Sequence, residues 1–173
     1  VSMTENDDLT FIQKLLDETK SVYPNKKCNT FTSKDSKEKR GILLDAFEKG
    51  TLDVLLAMKC LDEGVDVPRA EIGIFTSSTG NPREFIQRRG RLLRNHEEKQ
   101  YSYIYDTIVI PRTINRVDSY SIMESNLVKS ELKRVAYFAT LAQNCYANNG
   151  AYEVLNDVAN HFGITWSELI ENV

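Results

Sequence analysis

The segment 81–94 carries an unusual density of arginine. From residue 83 to residue 94 the arginines are Arg83, Arg88, Arg89, Arg91 and Arg94, against one carboxylate, Glu84. Arginine keeps its charge at physiological pH and presents a fixed fork of N–H donors that matches phosphate oxygens. Gly90 has no side chain, so a ligand or partner can approach its backbone closely. The segment predicts a phosphate-binding device, and the alternative is a solvated basic helix.

The basic segment is local, because the chain as a whole is mildly acidic. Its 173 residues are 41% hydrophobic and 27% charged, with a net charge of −3, which is typical of one globular core. Such a surface repels nucleic acid overall, so any phosphate binding must come from patches. Three scattered cysteines and two distant histidines indicate reduced thiols and no metal site. No apolar run reaches membrane-spanning length, and a first residue of Val1 predicts a piece of a longer protein.

The elements that must position the arginines alternate between strand and helix. Apolar spacing and turn residues predict strands over 28–32, 52–57, 71–76 and 101–110. The first predicted helix begins at Asp7 or Asp8, the second runs from Ser33 or Asp35 to Gly50, and the third begins at Asn81. Further helices are predicted over 119–147 and 151–162, and Ser167 is predicted to cap a last turn. Asn81 followed by Pro82 is a strong start for the arginine helix.

This order predicts the α/β fold class. Buried strands joined by crossover-length connections favour a layer with a mostly parallel sheet. Functional sites in such sheets lie at the carboxyl ends of the strands, and the loop 64–68, the turn 77–81 and the segment 90–94 are expected to lie on that rim. Past Pro111 the pattern is helical. The predicted domains are therefore residues 1–112 and a helical extension over residues 113–173.

Three stretches resemble motifs of the second RecA-like domain of superfamily 2 helicases and translocases. The first is Arg-x-x-Leu-x-x-x-Phe-x-x-Gly over residues 40–50, the second is the segment 55–68, which looks like motif V, and the third is the segment 87–94, which looks like motif VI. Their order and spacing match that family over about residues 28–110. The nearest resemblance is to XPB-like and restriction-associated DEAD/DEAH helicases.

The resemblance implies a three-layer, P-loop NTPase-like fold and a site for ATP with Mg²⁺ between two RecA-like lobes. The N-terminal lobe, in cis, would hold the phosphates and magnesium. Arg91 and Arg94 would be catalytic arginine fingers that stabilise charge on the transferred phosphoryl group. The other implied ATP-interface residues are Gly64, Asp66, Gln87, Arg88 and Gly90. Asp66 would accept from a ribose hydroxyl or orient an arginine, and its alternative role is to cap its own loop.

The resemblance also implies a nucleic-acid partner, with DNA favoured over RNA. Thr32, Ser33 and Lys59 would contact backbone phosphates, which positions a strand without reading its sequence. Met58 departs from the family, which often has Thr or Ser there, and it is expected to pack in the core. The setting implied is restriction or repair in the bacterial cytosol, without a membrane partner.

Two elements of a complete motor are missing from the sequence. It has no Gly-x-x-x-x-Gly-Lys-Ser/Thr loop for the β- and γ-phosphates and no magnesium-binding Asp-Glu box after a strand. The first strand of the lobe is also expected to lie upstream of Val1. We therefore expect the C-terminal motor lobe of an ATP-dependent helicase that is inactive on its own. The alternatives are a non-catalytic nucleic-acid or protein-binding module, and an unrelated α/β domain whose arginines bind an acidic protein.

Overall fold

The computed structural model describes residues 5–58, 65–76, 87, 89–111 and 122–171. Its helices and strands in chain order are α1 Glu5–Val22, β1 Cys28–Thr32, α2 Lys37–Glu48, β2 Val54–Met58, β3 Ile72–Phe75, β4 Tyr103–Asp106, α3 Ile122–Leu141, α4 Ala151–His161 and α5 Trp166–Ile170. The predicted Asn81–Pro82 helix start lies outside the described residues. Residues 89–92 are helical.

The strands β1 and β2 pair in parallel, with Cys28 opposite Val54 and Thr32 opposite Met58. Their side chains enclose a core that also receives residues from α2 and from the loops that follow the strands. This core contains Phe31, Leu43, Leu52 and Val65. Helix α1 packs on both strands and buries Ile12 and Leu16, one helical turn apart.

The helix α1 begins at Glu5, earlier than the predicted start at Asp7 or Asp8. Because the helix has already begun at Glu5, neither aspartate is its N-cap residue. The start of α2 also differs from the prediction, because its N-cap is Ser36 and not Ser33 or Asp35. The predicted end of α2 is confirmed, since Gly50 has a φ of 67° just after the helix, a conformation that favours glycine.

The strands β3 and β4 form a second two-stranded sheet. Tyr103 N donates to Glu71 O at 2.7 Å, and Thr107 N donates to Phe75 O at 3.1 Å. Both partners advance in the same chain direction, so this pair is parallel as well. Strand β4 is shorter than the predicted 101–110. Just after it, the Thr107 hydroxyl donates to the carbonyls of Phe75 and Thr76.

The chain divides into two compact units. The first consists of Val1–Gly73 and Arg83–Ile104, and the second consists of Ile74–Pro82 and Tyr105–Val173. The domain boundary predicted at residue 112 lies among residues that the structure does not describe, and it stays a prediction.

The helices of the second unit form their own core. Helix α3 contributes Val128, Leu132, Ala136 and Ala139 at spacings of four and three residues, and the other helices and turns contribute Cys145, Leu155, Ala159, Ile164 and Leu169. Helix α3 ends at Leu141 and not at the predicted residue 147. The backbone N–H groups of Ala142 and Cys145 bond three residues back, so the chain continues as tight turns.

A capping box starts α5, at Thr165 and not at the predicted Ser167. The Thr165 hydroxyl accepts from Glu168 N, and the Glu168 carboxylate accepts from Thr165 N at 2.8 Å. Lys129 Nζ donates to the same carboxylate at 2.7 Å. Hydrogen bonds from Lys129 and from Thr165 lower the pKa of Glu168 from 4.5 to about 2. The box therefore joins α5 to α3 through one ionised side chain.

We expect Glu168→Gln to remove part of the acid sensitivity of the second unit. The folded-state pKa of Glu168 is depressed, so its contribution to stability is fully present above about pH 4.5 and is lost as the pH falls toward 2. Trp166, the one tryptophan of the chain, lies in α5, so urea unfolding followed by its fluorescence reports on this unit. Glu171→Gln, at an exposed carboxylate of the same unit, is the control. Thr165→Ala should lower the unfolding free energy by about 1 kcal/mol. If the unfolding free energy of Glu168→Gln varied with pH in the same way as that of the original chain, this account would be contradicted.

Candidate functional site

The loop 65–70, which contains the end of the motif V-like stretch, is anchored by its apolar residues. Val65 is buried in the first unit's core, and Val67 packs against that core. Asp66, between them, is exposed. The Ala70 N–H closes a turn onto the Val67 carbonyl at 3.0 Å. Alternation of buried and exposed side chains thus fixes the loop backbone and presents one carboxylate outward.

The arginine segment, residues 87–94, is anchored in the same way. Its helical residues 89–92 continue into a turn, where Leu93 N donates to Arg89 O at 3.0 Å. Leu92 is buried and fixes the end of the helical stretch. Arg91 and Arg94 are three residues apart, a spacing that places two side chains on one side of a helical turn.

Both of these arginines contact loop 65–70. Arg91 Nη1 donates to the Val65 carbonyl at 2.7 Å, and Arg94 Nη1 forms an ion pair with the Asp66 carboxylate. Two guanidinium groups therefore bond to two consecutive residues of the loop. Asp66 contacts an arginine of the segment, which is one of the three roles that the sequence left open.

The two arginines differ in how firmly they are held. Arg91 is half-buried and bonds to a backbone carbonyl. The Arg94 side chain is 57% exposed and that of Asp66 is 40% exposed. An ion pair this accessible to water contributes little to stability, typically about 0–1 kcal/mol. Arg94 can therefore exchange the carboxylate for another anion at small cost, whereas Arg91 is part of the loop's support.

An open depression of about 490 Å³ adjoins these segments. It is lined by Pro68, Asn95, His96 and Glu97. His96 Nε2 lies 3.2 Å from the Glu48 carboxylate at the end of α2. The site is thus an accessible surface on the first unit.

The other predicted ATP-interface residues are Gln87, Gly90, Gly64 and Arg88. Gln87 is exposed. Gly90 is exposed as well, and a Cβ built on it meets no atom within 4 Å, so the chain leaves its backbone open to approach. Gly64 and Arg88 lie outside the described residues.

Thr32, one of the predicted nucleic-acid-binding residues, donates its hydrogen bonds to a nearby side chain of the same chain. The backbone N–H and the hydroxyl of Thr32 both donate to one oxygen of Asp35, at 2.7 and 3.0 Å. Burial alone would raise the pKa of Asp35, but hydrogen bonds from Lys39 and Thr32 hold it below its ordinary value. The donors of Thr32 that we predicted for phosphate thus bind a carboxylate, while the neighbouring Ser33 is exposed. Lys59 lies outside the described residues.

Sequence reasoning missed the burial of Arg89. Its side chain is only 1% exposed, whereas the cluster had been interpreted as one charged device. The signal was available, because Arg89 lies four residues after Phe85 and three before Leu92, which is the spacing of a buried helical face. Reasoning also missed Lys99, whose amino group contacts three carbonyls of the site.

Neither a metal cluster nor a membrane-spanning helix is found in the part of the chain that the structure describes. There, no three His, Cys, Asp or Glu side chains are grouped as metal ligands. None of the described helices combines the length and apolarity needed to cross a bilayer.

Comparison with known families decides what kind of domain carries this site. The family described as "Helicase conserved C-terminal domain" matches residues 2–96, more than half of the chain. The chain belongs to this family. The resemblance to the C-terminal lobe of superfamily 2 helicases is thereby confirmed. The predicted α/β RecA-like fold class is confirmed by this membership together with the parallel strand pairs.

Individual relatives of this helicase C-terminal domain are similar over short segments. The DNA 3'-5' translocase XPB2 of Sulfurisphaera tokodaii is 40% identical over 68 residues, which are 39% of this chain and 16% of the relative. The ATP-dependent DNA helicase MPH1 of Scheffersomyces stipitis is 26% identical over 120 residues, 69% of this chain and 11% of the relative. Dicer-like protein 2 of Cryphonectria parasitica is 40% identical over 63 residues, 36% of this chain and 4% of the relative. The chain thus matches only a small part of these relatives.

Solved structures that resemble the chain include helicase-type C-terminal domains. The C-terminal part of the Fun30 ATPase domain has a TM-score of 0.49 at 19% identity, covering 76% of this chain and 46% of that one. The C-terminal domain of the DEAD-box protein Dbp5 has a TM-score of 0.47 at 18% identity, covering 80% and 68%.

Proposed function

We propose that this domain is the C-terminal motor lobe of an ATP-dependent superfamily 2 DNA helicase or translocase. Its Arg91 and Arg94 would act on ATP held mainly by an N-terminal RecA-like lobe of the same polypeptide. The observation that supports this is the placement of both guanidinium groups on residues 65 and 66 of one loop. In this proposal residues 1–112 form the lobe and residues 113–173 form a helical extension.

The chemistry of the pair suits a transferred phosphoryl group. A guanidinium donates short, charge-assisted hydrogen bonds to phosphate oxygens, and it cannot lose its charge at neutral pH. Arg94 would leave Asp66 for the terminal phosphate when the lobes close. Arg91 would hold loop 65–70 through Nη1 on the Val65 carbonyl and would turn other N–H donors of its guanidinium to the same phosphate. Asp66 keeps Arg94 oriented while no nucleotide is bound.

The residues of this domain suit phosphate, but they do not form a binding site for Mg²⁺ in the described parts of the chain. When bound, magnesium neutralises charge on the phosphate oxygens. Within the described parts of the chain, no cluster of three acidic, histidine or cysteine side chains offers it ligands, and the sequence has no lysine-containing phosphate loop. The magnesium and the β- and γ-phosphates are therefore assigned to the N-terminal lobe, and this lobe contributes arginines.

The names of two relatives support the choice of nucleic acid in this proposal. These relatives are named as a DNA translocase and a DNA helicase, which supports DNA as the partner. In this proposal Ser33, which is exposed just after β1, contacts the backbone of the nucleic-acid strand. A role in restriction or repair in the bacterial cytosol stays a prediction.

We expect residues 1–173 alone to hydrolyse almost no ATP. One lobe presents the arginines without the phosphate-holding groups, so the site is half formed. Phosphate release should be measured with and without duplex DNA, single-stranded DNA and RNA, for this chain and for the polypeptide encoded together with its upstream region. The longer polypeptide should show nucleic-acid-stimulated turnover. Robust stimulated turnover by residues 1–173, with a folded circular dichroism spectrum, would contradict the proposal.

A further inference from the structure

One ammonium group joins the two segments of the site. Lys99 Nζ donates to the carbonyl oxygens of Pro68 at 2.7 Å and Ala70 at 3.4 Å, both in loop 65–70. The same Nζ donates to the Leu92 carbonyl at 2.7 Å, in the arginine segment. A lysine ammonium has three N–H donors, and here there are three backbone acceptors around it.

The Leu92 carbonyl explains why a cation is favourable at this place. It belongs to the last residue of the helical stretch 89–92, where carbonyls lack an N–H partner one turn further on. The Ser102 hydroxyl donates to the same oxygen at 3.1 Å. Positive charge is stabilised at such a helix end by the aligned peptide dipoles. Desolvation lowers the pKa of Lys99, with Glu71 acting in the opposite direction, as expected for an ammonium withdrawn from bulk water.

These bonds lie on both sides of the arginine contacts. Pro68 follows Asp66 by two residues, and Leu92 precedes Arg94 by two residues. Asp66 and Arg94, the partners of the exposed ion pair, therefore lie in two segments that both bond to the Nζ atom of Lys99. The ion pair itself is too accessible to water to hold the two segments together. Their spacing therefore depends on the hydrogen bonds of Lys99 and on the bond from Arg91 to the Val65 carbonyl.

We infer that Lys99 is a positioning residue for the arginine pair. It fixes loop 65–70 against the arginine segment, so that Arg91 and Arg94 keep the geometry needed to reach a phosphoryl group together. Lys99 itself contacts backbone and not the nucleotide. This inference rests on the proposed function, because it assigns Lys99 a role in the same site.

The first test compares Lys99→Met with Lys49→Met in the full-length polypeptide. Methionine keeps the length of the side chain and removes all three hydrogen bonds, whereas Lys49 forms only an exposed pair with Asp45. Lys99→Met should lower kcat for stimulated ATP hydrolysis by about 10- to 100-fold, the effect of a misplacement of roughly 1 Å at a catalytic group. The Kd for ATP should change by less than about two-fold, because the nucleotide is held mainly elsewhere. Lys49→Met should match the original protein.

The second test combines Lys99→Met with Arg94→Ala. If Lys99 acts through Arg94, the double variant should be no slower than Arg94→Ala alone, because the lost interaction is the same. A role in stability alone predicts a further loss of activity in the double variant and weaker nucleotide binding, and that result would overturn the inference. A kcat for Lys99→Met equal to that of Lys49→Met would overturn it too.

The outcomes separate this inference from the proposed function. Normal turnover by Arg94→Ala removes the proposed function, whereas slow turnover by Arg94→Ala with normal turnover by Lys99→Met removes only the role of Lys99. If Lys99→Met does not fold, Lys99→Arg takes its place, because a planar guanidinium keeps the charge but cannot reproduce the three carbonyl contacts of the ammonium group. A kcat about two- to five-fold lower at unchanged ATP Kd is then expected, and an unchanged kcat overturns the inference.

Discussion

Arg94→Ala in the full-length polypeptide is expected to lower kcat for nucleic-acid-stimulated ATP hydrolysis by about 10³- to 10⁵-fold, the range for an arginine that stabilises a transferred phosphoryl group. The side chain is mostly exposed and is held by an exposed carboxylate, so its loss should leave the fold intact. Binding of ATP and of DNA should change little, because the charge that Arg94 stabilises develops in the transition state. Two quantities should be measured: the rate of phosphate release at saturating ATP, and the Kd for the nucleotide.

Arg94→Lys is the matched variant for this experiment. Lysine keeps the positive charge but loses the planar fork of donors, so its kcat should fall between that of the original protein and that of Arg94→Ala. A kcat for Arg94→Ala within ten-fold of the original value, or a loss of DNA binding with turnover preserved, would contradict the assigned role.

Asp106→Ala is expected to lower the unfolding free energy of the second unit by about 3 kcal/mol. Asp106 accepts from Arg134 Nη1 at 3.2 and 3.3 Å, and both side chains are over 90% buried. Removing one partner of a buried ion pair leaves a charge withdrawn from water, which costs about 3–5 kcal/mol. Glu131 accepts from Arg134 Nη2 at 2.9 Å and still pairs with Arg134 in the variant. We therefore expect a loss at the lower end of that range. Urea unfolding followed by the fluorescence of Trp166 measures it.

The control for this prediction removes both charges. The double variant Asp106→Leu with Arg134→Met should recover most of the lost stability, because replacing a buried pair by apolar side chains of similar volume is often neutral or stabilising. With Asp106→Leu and Arg134→Met each measured alone, the coupling between these two substitutions is read from the cycle. A stability loss of less than about 0.5 kcal/mol for Asp106→Ala, or a double variant less stable than either single one, would contradict this account.

Local signals in the sequence predicted much of the framework. The strand 28–32 agrees with β1, and Gly50 does follow the end of α2. These features depend on side-chain type and on neighbours a few residues away, so they can be predicted without tertiary structure. The order of the loop and the arginine segment indicated the family for the same reason, because the motifs are short and contiguous.

Features that depend on competition between local partners were predicted less well. Ser33, Asp35 and Ser36 can each start α2, and Ser36 does so because Asp35 bonds to Thr32. Thr165 precedes Ser167 as a cap because only Thr165 has a glutamate three residues later. The sequence offers several chemically equivalent choices at such places, and packing selects one.

The site itself depends on contacts between distant segments, which the sequence does not display. Nothing near Lys99 in the sequence shows that it will meet carbonyls 29 to 31 residues earlier. Arg94 and Asp66 are 28 residues apart, and a contact with an arginine was one of three roles that the sequence left open for Asp66. Arg89 was open to prediction from its helical spacing, yet the charge of the cluster obscured it.

The central claim is that Arg91 and Arg94 stabilise the transferred phosphoryl group of ATP held by another lobe. Trapping of ADP with aluminium fluoride, which imitates that group in transfer, tests it most directly in the full-length polypeptide. The original protein should retain the trapped complex through gel filtration, and Arg94→Ala should bind ADP normally but lose trapping by at least about 100-fold. Equal trapping by the two proteins would contradict the claim.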